Sequence, residues 1–109
     1  MEQYRIYHSK RFDEELEKFD KDLIERVDKI EDELLKNPYS GKPLGTRWFR
    51  EKRYNKYRIY YLVYDYLKSV FMVAISEKKD QQKVINTIKL LLDFFKEELQ
   101  KLIDKDKLI

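Results

Sequence analysis

The sequence contains no cysteine and a single histidine among its 109 residues. Without cysteine it has no disulfide, no thiolate nucleophile and no zinc–sulfur site, and one histidine gives no basis for a histidine-built metal centre. Long apolar runs are missing as well. None approaches the roughly 18–20 residues of a membrane span, and the first residues lack the apolar segment of a signal peptide. We therefore expect a soluble cytoplasmic protein that has no metal or other cofactor and no membrane association.

Glycine and proline are scarce, with two of each in the chain. All four lie in residues 38–45, so this segment is the one evident loop of any length and divides the chain into two halves. A chain of this length forms one domain. We expect a single domain over residues 1–109, in which residues 1–80 form the core and residues 81–109 a C-terminal helical extension.

The net charge of the whole chain is only +3, but its positive charge is concentrated in one segment. Residues 46–58 have a net charge of +5, whereas residues 1–45 sum to −3 and residues 59–109 to +1. Such a local excess indicates a surface that binds a polyanion. The alternative is a solvated hairpin edge whose charges prevent aggregation. The segment sets six basic side chains against Glu51 alone: Arg47, Arg50, Lys52, Arg53, Lys56 and Arg58.

Hydrophobic periodicity predicts a strand and two helices in the first half of the chain. Residues 4–8 alternate as a strand does, and Ser9 and Asp20 are suitable N-caps for the helices that follow. Each helix has its apolar residues on one stripe, so the two are expected to form an antiparallel hairpin on one face of a sheet. In the second half the pattern predicts strands at residues 47–50, 57–64 and 69–76, joined by turns at residues 54–56 and 65–68.

The last strand and the segment after it differ from the rest. Residues 70–75 are apolar without alternation, so we expect this strand to be covered on both faces. From Asp80 onward the apolar residues recur at helical spacing, which predicts one long helix of roughly 20 or more residues. This helix either folds back onto the domain or forms a homodimer or partner interface through its apolar residues. The predicted fold class is α+β: a small antiparallel sheet of about four strands in the order β-α-α-β-β-β, packed against a helical hairpin, with a long C-terminal helix.

This order of elements resembles the RelE/ParE superfamily of toxins from type II toxin–antitoxin modules. The resemblance covers about residues 2–88. It rests on short motifs in a fixed order: Tyr4-x-Ile6 leading to His8-Ser9-Lys10, then Asn37-Pro38, Gly41-Lys42-Pro43-Leu44, Arg53 before a turn, and Tyr57-Arg58-Ile59 after it.

The resemblance implies three candidate functions. A RelE-like toxin is a metal-independent endoribonuclease that cleaves messenger RNA on the ribosome, by attack of the ribose 2′-hydroxyl on the adjacent phosphate. A ParE-like toxin instead inhibits DNA gyrase without being an enzyme. A degenerate member of the family acts as a binding module. The first is the leading interpretation, and it implies a cognate antitoxin, messenger RNA and the ribosome as partners.

The resemblance also implies site residues. The arginine of the family's Tyr-Arg pair falls on Arg58, and the basic residue before the turn falls on Arg53, or on Lys52 if the register slips by one. The arginine that follows the last strand has become Lys79, and the tyrosine near the next helix falls on Ile85. We expect Arg53 and Arg58 to hold the phosphate and Lys79 to support them as a cation or acid. The predicted RNA-binding residues around them are Arg50, Lys52, Lys56, Tyr57 and Lys78.

Each of these residues has a simpler interpretation. Arg58 begins a strand and would also suit an ion pair with an acid on a helix. Tyrosines at strand spacing are commonly packing residues with one hydrated end. The pair Lys78-Lys79 would suit a solvated surface. These alternatives stay open at the level of the sequence.

Overall fold

The structure is a computed structural model that describes residues 3–108. Its strands are β1 (Arg5–His8), β2 (Lys42–Pro43), β3 (Phe49–Tyr54), β4 (Tyr57–Tyr64) and β5 (Ser69–Glu77), and its helices are α1 (Lys10–Glu17), α2 (Lys21–Lys36), α3 (Gln81–Leu90) and α4 (Leu92–Lys107). Single turns of 3₁₀ helix, Asp65–Leu67 and Lys78–Asp80, precede β5 and α3. No helix within this range is long and apolar enough to cross a membrane.

The strands form one sheet in the order β1-β5-β4-β3-β2. β2, β3, β4 and β5 pair in antiparallel fashion, whereas β1 runs parallel to β5, with Arg5 opposite Ser69. The α+β class is confirmed, but the sheet is mixed and gains a short fifth strand, β2. β5 lies inside the sheet, so the backbone groups on both of its edges need partners, and β1 supplies the second one. This pairing joins distant parts of the chain, which is why local patterns did not predict it.

The first two helices form as predicted. Ser9 accepts a hydrogen bond from the Phe12 backbone N–H, and Asp20 accepts one from that of Leu23, so both N-termini are capped by their own side chains. The buried stripe of α2 packs on one face of the sheet, against Tyr61 and Met72 among others.

The C-terminal segment is helical and ends in a long helix, α4, as predicted, but it is divided into two helices instead of running unbroken from Asp80. Leu91 separates α3 from α4, and its N–H donates to the carbonyls of both Thr87 and Ile88. A straight helix over residues 81–107 would be about 40 Å long, whereas the longest extent of the molecule is 38 Å. The break lets both helices follow the second face of the sheet, where Phe95 and Leu99 are fully buried. The segment therefore folds back onto the domain, and β5 is covered on both faces as expected.

The β3–β4 hairpin has a tighter turn than predicted. β3 begins at Phe49 and continues to Tyr54, beyond the predicted strand at residues 47–50, and Asn55 and Lys56 alone form the turn. Asn55 has a positive φ of 53°, a conformation that asparagine tolerates well and that two-residue hairpin turns require. This turn fixes which residues of β3 and β4 lie opposite each other.

Candidate phosphate-binding site

The hairpin brings two of the predicted arginines together. In the β3–β4 register, Arg53 lies directly opposite Arg58 and Glu51 opposite Tyr60. Opposite residues of an antiparallel pair project from the same face of the sheet. Tyr60 belongs to the core beneath α3 and α4, so both arginines lie on that face, at the end of the sheet nearest to the turn.

Arg58 is buried, with 5% of its surface exposed. Its Nη1 donates to the backbone carbonyls of Asn55, at 3.1 Å, and Tyr57, at 2.9 Å. Its Nε is buried without a hydrogen-bond partner, and among the described residues no carboxylate lies within ion-pairing distance of it. The simpler interpretation, an ion pair with a helix acid, is therefore not what the structure contains. A buried guanidinium is costly unless an anion compensates its charge.

Arg53 has a different environment. Its side chain is 52% exposed, and its Nε lies 3.2 Å from Oε2 of Glu51. Glu51 itself is buried, and its other oxygen accepts a hydrogen bond of 2.7 Å from the side-chain amide of Gln81, the first residue of α3. Sequence reasoning missed both Glu51 and Gln81 as site residues. The available signal was that Glu51 is the single acid of the basic segment, two positions before Arg53 on the same face of a strand.

The floor of the site is polar. The hydroxyls of Tyr60 and Ser76 are 2.8 Å apart, and Ser76, which lies opposite Arg58 on β5, also donates to the backbone carbonyl of Glu77. Burial raises the pKa of Tyr60, and the negative charge of Glu51 adds to this, while the Ser76 hydrogen bond and the Arg58 charge act in the opposite sense. Tyr60 is therefore a neutral phenol at physiological pH.

Three predicted lysines lie next to this end of the sheet. The backbone N–H of Lys78 donates to the carbonyl of Lys56, so the segment after β5 runs beside the hairpin turn. Glu77 lies between two ammonium groups, 3.1 Å from Lys56 and 3.6 Å from Lys79. The Lys56 contact lowers the pKa of Glu77, and Glu77 in turn raises the pKa of Lys56. Lys79 therefore lies in the segment that runs beside the hairpin turn, and its ammonium group contacts Glu77.

The remaining predicted residues lie on the other face of the sheet. Arg50 donates to the backbone carbonyls of Tyr39, Gly41 and Arg47, so its guanidinium holds the loop after α2. Lys52 is paired with Glu33 of α2 at 3.1 Å, and the ring of Tyr57 packs edge-on against Phe19. In the hairpin register it is Arg53, and not Lys52, that lies opposite Arg58. The predicted RNA-binding roles of Arg50, Lys52 and Tyr57 stay predictions, on a face that Arg53 and Arg58 do not share.

Ile85, at the position of the family's tyrosine, is buried in the core beneath α3 and α4. It leaves no aromatic side chain at this position to stack on a base. Within residues 3–108 no group of three histidine, aspartate or glutamate side chains has the arrangement of a metal site.

Solved structures share this fold. Toxin RelE from E. coli, as an arginine-to-alanine double mutant in the free state, matches with a TM-score of 0.70 and 20% identity over 83% of this chain and 99% of RelE. The intact E. coli RelBE toxin–antitoxin complex matches at 0.62 and 23% identity, over 68% of this chain and 95% of the matched one. The RelBE2 toxin–antitoxin complex from Mycobacterium tuberculosis matches at 0.61 and 20% identity, over 69% and 98%. The fold is thus that of RelE-like toxins.

The sequence itself matches a family model. The family is described as ParE toxin of type II toxin–antitoxin system, parDE, and its model matches residues 6–82, which is more than half of the chain. The protein therefore belongs to this family and is a toxin of the type II toxin–antitoxin class within the RelE/ParE superfamily. No curated protein sequence matches the chain significantly.

Proposed function

We propose that this toxin cleaves messenger RNA on the ribosome and that Arg58 and Arg53 bind the scissile phosphate. The observation that carries this proposal is the environment of Arg58: a guanidinium with 5% exposure that has no acidic partner within the described residues, directly opposite a second arginine. Arginine binds phosphate through paired N–H groups, and two converging arginines suit the charge that develops on a phosphorane.

In the proposed reaction the ribose 2′-oxygen attacks the adjacent phosphorus. The 2′-hydroxyl gives up its proton to solvent water as the bond from the 2′-oxygen to phosphorus forms, the bond from phosphorus to the 5′-oxygen breaks, and the products carry a 2′,3′-cyclic phosphate and a 5′-hydroxyl. Arg53 and Arg58 stabilise the negative charge on the phosphate, and Lys79 protonates the leaving 5′-oxygen. His8 has no part in this step because it lies at the far edge of the sheet, bonded to Asp13 and Glu31.

The partners follow from the same assignment. Two of the matching structures are toxin–antitoxin complexes, and another is E. coli RelE with an antitoxin peptide. We therefore expect a cognate antitoxin to bind and silence this chain. Messenger RNA and the ribosome would be its targets, which makes the cytoplasm its place of action. Arg50, Lys52, Lys56, Tyr57 and Lys78 are the side chains that we expect to contact RNA outside the scissile phosphate.

The second candidate is inhibition of DNA gyrase without catalysis. The family description, ParE toxin, favours it, and so does the burial of Ile85 where RelE-like nucleases carry a tyrosine. A degenerate toxin that survives as a binding module would share these features.

A translation reaction programmed with one defined message separates the candidates. Primer extension after addition of the toxin is expected to reveal cuts at codons in the ribosomal decoding site, while a parallel gyrase assay keeps its normal supercoiling rate. Arrested supercoiling without cuts would establish that the protein inhibits gyrase. If neither cuts nor arrested supercoiling were observed, the binding module would be the remaining interpretation.

Two arginine variants sharpen this experiment. Arg58→Met is expected to slow cleavage about 10²–10³-fold, the typical loss when one preorganised group that stabilises transition-state charge is removed. Arg47→Ala is the matched control. Arg47 belongs to the same basic segment but, unlike Arg58, it is exposed and has an acidic partner, Asp65 at 3.4 Å. It is expected to cleave at the normal rate. Equal loss in both variants would mean that general positive charge, not the Arg58 site, carries the activity.

A further inference from the structure

Glu51 is an unusual residue for its place in the fold. Among the acidic side chains of residues 3–108, that of Glu51 is the one that is fully buried, and the other charged residues of its segment are all positive. Taking a carboxylate out of water costs several kcal/mol unless good partners compensate it, and well-packed apolar residues often serve a fold as well or better. Burial therefore needs a reason beyond stability, and the partners of Glu51 supply one.

The two oxygens of Glu51 contact different parts of the molecule. Oε2 accepts from Nε of Arg53, and Oε1 accepts from the amide of Gln81 at the start of α3. Gln81 of α3 thus fixes the carboxylate through one oxygen, and the other oxygen holds Arg53 of β3. Contact through Nε leaves the terminal nitrogens of Arg53 without a hydrogen-bond partner among residues 3–108. These are the nitrogens with which arginine binds phosphate in a fork.

Glu51 also lies where it reduces the repulsion between the two arginines. Like charges directly opposite each other across two strands are destabilising, and Arg53 and Arg58 are such a pair. Glu51 is one pleat away on the same face, opposite Tyr60. A fixed negative charge therefore contacts the Arg53 guanidinium and lies on the neighbouring same-face residue pair of the hairpin from Arg58.

We infer that Glu51 is a positioning residue of the phosphate site: it holds Arg53 by Nε, beside Arg58, with the terminal nitrogens directed to the phosphate. The inference rests on the proposed phosphate binding and adds a residue to it. Glu51 does not touch RNA, because its side chain is fully buried. Glu51 affects the orientation of Arg53, and even a small displacement of a group that binds the phosphate slows the reaction strongly.

Glu51→Gln tests this role because glutamine keeps the shape of the side chain but replaces the charge-assisted hydrogen bond to Nε of Arg53 with a weaker neutral one. On ribosomes programmed with message, we expect the cleavage rate at saturating toxin to fall about tenfold or more. The toxin concentration that gives half of this rate should stay within about twofold of the normal value or decrease, because one negative charge near the phosphate is gone. A slower reaction with undiminished affinity is not what partial unfolding produces.

Glu15→Gln is the matched control. Glu15 is also a largely buried acid, with 24% of its side chain exposed, but it lies on the α1 side and accepts from the backbone N–H of Ile75. We expect it to lower the melting temperature without changing the saturating rate. The inference is overturned if Glu51→Gln cleaves at the normal rate, or if its rate and affinity fall together in proportion to the folded fraction.

A nuclear magnetic resonance titration separates failure of this inference from failure of the proposed function. The probe is an RNA trinucleotide with 2′-O-methyl riboses, which binds without being cleaved, and the signals are those of the arginine Nε–H groups. In the unaltered protein we expect the Arg53 and Arg58 signals to shift together. In Glu51→Gln we expect the Arg58 signal to shift and the Arg53 proton to exchange faster with water. If the unaltered protein binds the probe in this way but never cuts message, the nuclease fails and the inference stands. A probe that moves neither arginine overturns the inference.

Discussion

The two faces of the β3–β4 hairpin carry arginines of opposite character. On the face under α2, Arg50 donates hydrogen bonds to three backbone carbonyls and thereby closes a loop. On the face under α3, Arg58 is more deeply buried, with one nitrogen bonded to two carbonyls and Nε without a partner. Both belong to one basic segment of thirteen residues. Because side chains alternate between the two faces of a strand, the segment has structural arginine contacts on one face and a positive charge without an acidic partner on the other.

A charge count therefore identifies the basic segment but not the site within it. Net charge belongs to a stretch of sequence, whereas an anion site needs guanidinium groups that converge and that the protein itself leaves uncompensated. Arg53 and Arg58 lie opposite each other on one face of the hairpin, and Arg58 has no acidic partner among the described residues.

Exchange of Arg50 and Arg58 for methionine should separate the two faces most strongly. Arg50→Met is expected to lower the free energy of unfolding by about 3 kcal/mol, since charge-assisted hydrogen bonds to several carbonyls are lost at once. Arg58→Met is expected to stay within about 1 kcal/mol of the original value, because an apolar side chain of similar volume replaces a buried charge without an acidic partner. Urea unfolding measures both.

The outcome that contradicts this contrast is an equal loss of stability in both variants. It would mean that the two carbonyl bonds of Arg58 stabilise the hairpin as much as those of Arg50 stabilise the loop. Arg58 would then be a structural residue, and the main support for the phosphate site would be gone.

Two neighbouring tyrosines extend the comparison to β4. Tyr60 and Tyr61 are both fully buried, on opposite faces. The hydroxyl of Tyr61 accepts from the backbone N–H of Gly41 at 3.0 Å, so Tyr61→Phe leaves a buried donor unpaired and should cost about 1–3 kcal/mol. Tyr60→Phe leaves Ser76 with its second partner, the Glu77 carbonyl, and should cost about 0.5–1.5 kcal/mol.

The packing at Gly41 provides the reason for the larger value. A Cβ at this position would lie 2.6 Å from the Tyr61 hydroxyl and 2.5 Å from the Glu51 carbonyl oxygen. The backbone is therefore in close contact with Tyr61, and water has no room to replace the hydroxyl. Chemical denaturation of the two variants side by side tests this order, and a larger loss of stability in Tyr60→Phe would contradict it.

The smallest expected effect is a pH dependence that belongs to the α1–α2 side alone. The ring nitrogens of His8 lie 2.7 Å from Asp13 and 2.5 Å from Glu31. Desolvation lowers the pKa of His8, but the hydrogen bonds and charges of Glu31 and Asp13 outweigh it and raise the pKa above its ordinary value. A raised pKa in the folded state means that the stabilisation is fully present below the ordinary pKa of histidine and is lost as pH rises through the folded value. We expect the melting temperature to decrease by a few degrees across this interval.

The control for this prediction is His8→Gln, whose melting temperature should change less over the same pH interval. Stability that increased with pH in the original protein, or an identical decrease in the variant, would show that His8 is not the group responsible.

Local rules predicted most of the elements and failed where distant parts of the chain meet. Ser9 and Asp20 predicted where the first two helices begin, because an N-cap acts on backbone groups a few residues away. The parallel partner of β1 and the break at Leu91 depend on the size and edges of a sheet that no short window contains. For the site, sequence reasoning named Arg53 and Arg58, and the register of the hairpin brings them together. It missed Glu51 because neither its burial nor its contact with α3 can be inferred without knowing which face of β3 is covered.

The parallel pairing of β1 with β5 has a consequence for the order of events during synthesis. β1 is translated before its neighbour in the sheet, which begins at Ser69, and the backbone N–H of Lys10 at the start of α1 donates to Glu98 of α4. These non-local contacts cannot form until the later segments have been made. On a translating ribosome, β1 therefore stays unpaired until β5 has emerged.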